Sequence, residues 1–225
     1  MFLPLYDSNK IAHIEFPYVN YGILALTVLV FLIQSLGGQA GLERAHVEYG
    51  MIPVVVRNLV EGPAPWLPDQ ITLLSYMFLH ADFFHLLSNM LFLWVFGDNV
   101  EDALGHLRYL VFYLLCGVLA GLAHLYFNPD SYGPLIGASG AVAGVMGAYL
   151  VLYPNVRVFV LNKLIVMFPI ALPAWLVLSL WIVVQLFYAA LGQEDGVAWW
   201  AHIGGVAAGA GLVFVFRWRK VARSG

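Results

Sequence analysis

The chain has 225 residues, 62% of them hydrophobic and only 10% charged. That balance excludes a soluble domain of this length and describes an all-α polytopic membrane protein, with one membrane domain over residues 1–225. The net charge of −3 is modest, and no basic tract points to nucleic acid. The one cysteine, Cys116, lies inside an apolar run, which rules out a disulfide framework or a thiolate metal site.

Met1 to Lys10 does not read as a cleavable signal, because charge is sparse and no small-residue cleavage site follows a short apolar core. The lack of a targeting extension favours a prokaryotic cell membrane over an organelle. A first span is predicted from Tyr18 to Leu36. The connection from Gly37 to Leu79 is long, with Arg44, Arg57, Pro63, Pro65 and Pro68 among apolar patches. Such length is usually functional, and the patches put the connection on or partly in the membrane. The second span runs from Phe83 to Gly97, and Asp98, Glu101 and Asp102 are expected to end it in water or at the lipid surface. The third covers Leu107 to Phe127 and is followed by the turn signal Asn128-Pro129-Asp130. The fourth, Ser139 to Tyr153, stops at Pro154. Val156 to Ile170 is apolar but carries Arg157, Asn162 and Lys163, and reads as an interfacial loop. The fifth span covers Ala171 to Leu191 and the sixth Trp199 to Trp218.

Six spans put both termini on one side. That side holds eight of the ten basic residues: Lys10, Arg108, Arg157, Lys163, Arg217, Arg219, Lys220 and Arg223. Arg44 and Arg57 are on the other. The positive-inside rule makes the termini cytoplasmic. Spans two, four and six then run from outside to inside, and each starts with unusual polar residues. These are His85 and Asn89 on span two, Ser139 on span four and His202 on span six, with His80 just before span two. All fall in the outer half of the membrane. Span four would be about 22 Å long against a hydrocarbon core of about 30 Å, which sinks Ser139 below the outer surface. The loop Ser131 to Ala138 must then dip inward, which irregular backbone tolerates only where protein buries it or water reaches it.

Gly137-Ala138-Ser139-Gly140 places a serine between glycines at a helix start, where close backbone approach and the helix N-terminus suit a nucleophile. Taken alone, such a motif is more often a packing surface. Gly140, Gly144 and Ala148 on span four match Gly205 and Gly209 on span six, so the two spans are expected to pack closely, with Ser139 near His202. No acid lies at that depth: Asn89 to Asp98 is about 13 Å along a helix, and Glu194 and Asp195 sit on the outer loop. His202 would act alone as general base and acid. The Ser139 N–H, the Asn89 amide and a neutral His85 N–H could hold an oxyanion. His80, His85 and His202 could instead bind a metal, a weaker reading because no close His-x-x-x-His pair is present. His124 is expected to be a packing or cavity-lining residue, and His46 and His106 to be solvated.

The combination resembles the rhomboid intramembrane serine proteases. The matching pieces are His80, His85 and Asn89 at His-x4-His-x3-Asn spacing, Gly137-Ala138-Ser139-Gly140, and Ala201-His202-Ile203-Gly204-Gly205 with Gly209. The resemblance covers essentially the whole chain. It implies a six-helix rhomboid-like bundle, a Ser139–His202 catalytic dyad, and an oxyanion and substrate-binding group of His80, His85, Asn89, Gly137 and Ala138. It implies transmembrane protein substrates within a lipid bilayer, cut near the outer face after a small residue, with no metal or cofactor. It also implies that span five and the loop Gly192 to Ala198 gate the site. Two departures stand out. Some members carry an aromatic residue four positions after the serine, stacked on the histidine, where this chain has Ala143; and the first outer loop lacks the Trp-Arg pair of some members. A non-catalytic rhomboid-like client binder and a small transporter are the rival readings. Retention of Ser139 and His202 opposes the first, and the lack of an intramembrane acid opposes the second.

Overall fold

The structure, a computed structural model, describes residues 3–64, 66–161, 168–192 and 196–217. Pro65, Asn162, Lys163, Glu194, Asp195, Trp218, Arg219, Lys220 and Arg223, which entered the sequence reading, lie outside the described residues. In chain order the elements are strand β1 (Leu3–Asp7) and helices α1 (Tyr18–Ser35), α2 (Gly38–Tyr49), α3 (Pro53–Val56), α4 (Thr72–Ser75), α5 (Phe83–Leu104), α6 (His106–Phe127) and α7 (Ser139–Leu152). Strands β2 (Arg157–Leu161) and β3 (Ile170–Pro173) follow, then α8 (Ala174–Ala190) and α9 (Trp199–Phe216).

Among the described residues three helices, α1, α6 and α9, are long and apolar enough to cross a membrane. The segment Asp69–Phe78 meets α5 at an 82° bend and counts as a fourth only where the pair is taken as one span, and α7 and α8 are shorter apolar helices. The chain is a multi-pass membrane protein. α7 lies at its centre, with Ala141, Ala143, Val145 and Ala148 all fully buried. It packs most extensively on α9 and also on α6 and α5.

Small residues set the α7–α9 distance. A Cβ at Gly205 would strike the Gly140 carbonyl oxygen, and one at Gly209 the Gly144 carbonyl. Gly147 lies in the same way against the Val206 carbonyl. The two backbones therefore touch, which is how membrane helices gain van der Waals contact without bulky side chains.

The other end of the bundle differs from expectation. α5 does not end at Gly97 but continues to Leu104, and Glu101 and Asp102 are 0% and 5% exposed. Glu101 accepts hydrogen bonds from the Val19 and Asn20 N–H groups at 3.1 and 2.7 Å, and its Oε1 is 2.5 Å from His106 Nδ1. Asp102 accepts from the N–H groups of Ala12, His13 and Ile14 at 3.1, 2.6 and 2.8 Å. For Glu101 the physical reason is the start of α1, whose first N–H groups have no intrahelical acceptor and carry the positive end of the helix dipole, while Asp102 holds the segment just ahead of that helix. His106 is bonded here, not simply solvated. Glu101→Ala leaves those donors without an acceptor in a buried site and is expected to destabilise the protein by about 2–4 kcal/mol, read as unfolding in detergent. A change within about 0.5 kcal/mol, the range of an ordinary surface substitution, would remove this role.

Arg157–Leu161, within the segment read as an interfacial loop, is a β-strand. β1, β2 and β3 form an antiparallel sheet in that order, with Leu3 opposite Leu161 and Arg157 opposite Pro173. The alternation in Arg-Val-Phe-Val explains it: Val158 and Val160 are fully buried, while Phe159 stacks on Tyr6 at 4.4 Å. β3 takes up the first residues predicted for span five, so α8 starts at Ala174. Asp7 at the end of β1 accepts from the Tyr149 hydroxyl at 2.5 Å, and burial raises its carboxyl to about 6. Tyr149 is ten residues down α7 from Ser139, about 15 Å, so the sheet sits at the end of α7 away from the site.

Candidate active site

The site is built from the starts of three helices. Asp82 caps α5, its Oδ1 accepting from the Phe84 and His85 N–H groups at 2.7 and 2.9 Å. That cap fixes the first turn carrying His85. The Ala81 N–H points at His85 Nδ1 at 3.4 Å, which leaves the ring proton on Nε2. Asn89, one turn on, donates through Nδ2 to the His85 carbonyl at 3.0 Å and keeps its second N–H.

The loop before α7 is irregular, and protein groups pair part of its backbone. Met51 and Leu135 exchange N–H···O bonds of 3.0 and 2.8 Å, and the Gly137 N–H donates to the Tyr76 carbonyl at 2.9 Å. Gly137 has φ +114°, and a Cβ there would lie 2.8 Å from His85 Cε1 and 2.9 Å from its Nε2. Glycine is required twice over, for the backbone angle and to let the imidazole lie against the chain. The Ala138 N–H faces His80 Nε2 at 3.5 Å, and the His80 ring stands 5.1 Å from that of His85. His80 is fully buried, and its carbonyl accepts from Gln34 Nε2 at 2.6 Å and contacts His46 Nε2 at 3.1 Å. His46 is thus tied into the structure and is not a solvated residue.

Ser139 starts α7, and its Oγ lies 2.8 Å from His202 Nε2 on the first turn of α9. His202 Nδ1 lies 2.7 Å from the side-chain oxygen of Gln185 on α8. Trp181 and Trp199 flank the ring at 5.6 and 6.2 Å. A cavity of about 1040 Å³ adjoins these groups. His85, Asn89 and His124 face it, as do Ser139 and His202. One wall is apolar, formed by Phe92, Val142, Met146, Val177 and Trp181. His85, Asn89, Ser139 and His202 therefore share one cavity, while His80 and Ala138 stand behind it as a buried support. Among the described residues no group of three or more His, Cys, Asp or Glu side chains is arranged to hold a metal ion.

The sequence model of the Rhomboid domain matches residues 68–219. The chain belongs to the rhomboid family. It is 32% identical over 134 residues to the rhomboid protease GluP of Bacillus subtilis, a match covering 60% of this chain and 24% of that protein. It is 31% identical over 114 residues to the mitochondrial Rhomboid protein 1 of Saccharomyces cerevisiae, covering 49% of this chain and 32% of that one. It is 32% identical over 160 residues to RHOMBOID-like protein 5 of Arabidopsis thaliana, covering 71% and 46%. The chain spans less than half the length of each of these relatives.

The matched region begins after α3 and includes every residue of the cavity. Gln185, Trp181 and Asp82 are the site residues that motif reading passes over. Asp82 had a signal, a cap residue directly before an apolar run. Gln185 had one too, as the only amide in the span Ala174–Ala190. Ala143 is fully buried, and its Cβ lies 3.2 Å from where a Gly205 Cβ would be, so the α7–α9 contact leaves no room for an aromatic ring there.

Proposed function

We propose that this rhomboid protein is an intramembrane serine endopeptidase that hydrolyses a peptide bond in transmembrane protein substrates. The observation that carries the reading is the 2.8 Å contact of Ser139 Oγ with His202 Nε2 at the edge of a cavity shared with His85 and Asn89. Six spans, with both termini cytoplasmic and the site opening to the extracytoplasmic side of a cell membrane, are supported by the basic-residue asymmetry.

In the first step the Ser139 oxygen attacks the substrate carbonyl carbon while its proton passes to His202 Nε2. The tetrahedral oxyanion meets the N–H of Ser139, unpaired at the head of α7, together with the free amide N–H of Asn89 and the Nε2–H of His85. Collapse breaks the C–N bond, and His202 returns its proton to the leaving amine. Water then attacks the acyl-enzyme with His202 again as base, releasing the acid and restoring the serine. The apolar wall of Phe92, Val142, Met146 and Val177 suits side chains of a membrane segment.

The test is reconstitution of the full chain in liposomes with a single-span reporter protein. Wild type is expected to cleave the reporter, to be labelled at Ser139 by a fluorophosphonate, and to stop cleaving once labelled. Absence of cleavage, or cleavage that persists after complete labelling, sinks the reading.

A further inference from the structure

Given the Ser139–His202 dyad proposed above, the geometry points to Gln185 as the residue that positions the base: its side-chain oxygen holds His202 in the tautomer and ring orientation that can accept the serine proton. Gln185 lies on α8 and is 5% exposed in an otherwise apolar wall. A buried amide in such surroundings must find partners. Its Nε2 donates to the Trp181 carbonyl one turn back at 3.3 Å, which fixes the amide plane and turns Oε1 toward His202 Nδ1 at 2.7 Å. An amide oxygen only accepts, so Nδ1 carries the ring proton. The Nε2 lone pair is then left facing Ser139 Oγ at 2.8 Å. Were the ring in its other tautomer, Nε2 would be a donor and could take no proton.

The surroundings hold the arrangement in place. Trp181, Gln185 and Tyr188 fall at spacings of four and three and share one face of α8. Trp181 lies 5.6 Å from the His202 ring at a 39° tilt. Tyr188 stacks on Trp199 at 4.9 Å, and Trp199 meets the His202 ring edge-on. This face seats α8 on the head of α9. Ala143 cannot do the same work, since it is pressed against Gly205. A carboxylate in the place of Gln185 would carry a burial penalty that an amide avoids. The dyad sits on α7 and α9, but its orienting group sits on α8, so the site is complete only with α8 seated.

The experiment compares Gln185→Leu and Gln185→Glu with wild type, as full chains in liposomes on the single-span reporter, across pH. Gln185→Leu removes the acceptor and is expected to lower kcat about 10–100-fold with KM little changed. Labelling of Ser139 by the fluorophosphonate should slow in parallel. Gln185→Glu restores an acceptor and is expected to recover most of kcat. It is also expected to move the acid limb of the pH–rate profile to higher pH by about one unit or more, because a carboxylate favours the imidazolium, which cannot take the serine proton. The other titratable groups facing this cavity among the described residues are His85 and Asp82 from α5, His124 from α6 and Tyr188 from α8. They are common to all three proteins, so displacement of the limb reports position 185. A Leu variant with kcat within about twofold of wild type overturns the inference. So does a Glu variant whose acid limb stays in place, and that result decides the matter alone if Gln185→Leu does not fold. Wild type that neither cleaves nor labels overturns the dyad reading and this inference with it. Cleaving wild type with indifferent Gln185 variants overturns the inference only.

Discussion

Ser139→Ala, His202→Ala and the double variant are expected to lose cleavage by the same factor, at least about a thousandfold. The equality matters more than the size. Ser139 Oγ and His202 Nε2 share one hydrogen bond of 2.8 Å, and no other base reaches the hydroxyl among the described residues. With the serine gone, the imidazole has no proton to take. With the imidazole gone, the hydroxyl is a weak nucleophile at any working pH. The second deletion therefore finds nothing left to remove, and losses that act as a unit do not multiply. The measurement is the initial rate of reporter cleavage in liposomes for the four proteins, with detergent unfolding to confirm that each retains its fold. A double variant whose loss is the product of the two single losses would show that the residues act separately.

Much of this site is legible in the sequence because its parts are short and local. His85 and Asn89 are one helical turn apart, Gly137 adjoins Ser139 through one residue, and Gly205 follows His202 by three. Helical spacing puts each set on a face, and small residues on α7 and α9 say which faces meet. Gln185 is different. It lies 17 residues before His202, on another helix. Only the rotation of α8 about its own axis aims its amide at the imidazole. An apolar span with a wide lipid-facing side does not fix that rotation. α8 is such a span: Leu180, Val183, Leu186 and Phe187 are all more than 40% exposed.

The end away from the site was harder to read for another reason. Charge marks a span end only when the charge meets water. Glu101 and Asp102 meet backbone N–H groups from residues 12 to 20, more than 80 positions away. Long-range partners of this kind leave no local pattern. The buried carboxylates are compensated by hydrogen bonds, so a hydropathy criterion places water where the fold has placed α1. The short strand Arg157–Leu161 was obscured similarly. Its alternation covers five residues, and its partners, β1 and β3, lie on either side of it in the chain.

Gly209→Leu is expected to destroy both the fold and the activity, by more than about 4 kcal/mol of stability. A Cβ at position 209 falls on the backbone of Gly144, 2.7 Å from its Cα and closer still to its carbonyl. No rotamer relieves this, because the obstacle is main chain of α7, which is buried from Gly140 to Tyr149. α7 and α9 would have to separate, and the Ser139–His202 bond spans that same pair of helices. Gly209→Ala should already show most of the loss. Gly211 lies two residues further along α9 with nothing within 4 Å of its notional Cβ. Gly211→Ala is expected to stabilise α9, by about 0.5–1 kcal/mol, through helix propensity alone. Unfolding in detergent and fluorophosphonate labelling of Ser139 read both effects on the same samples. The two alanine variants differ only in where they sit on α9. If they behaved alike, close backbone contact between α7 and α9 could not be what brings the serine and histidine together.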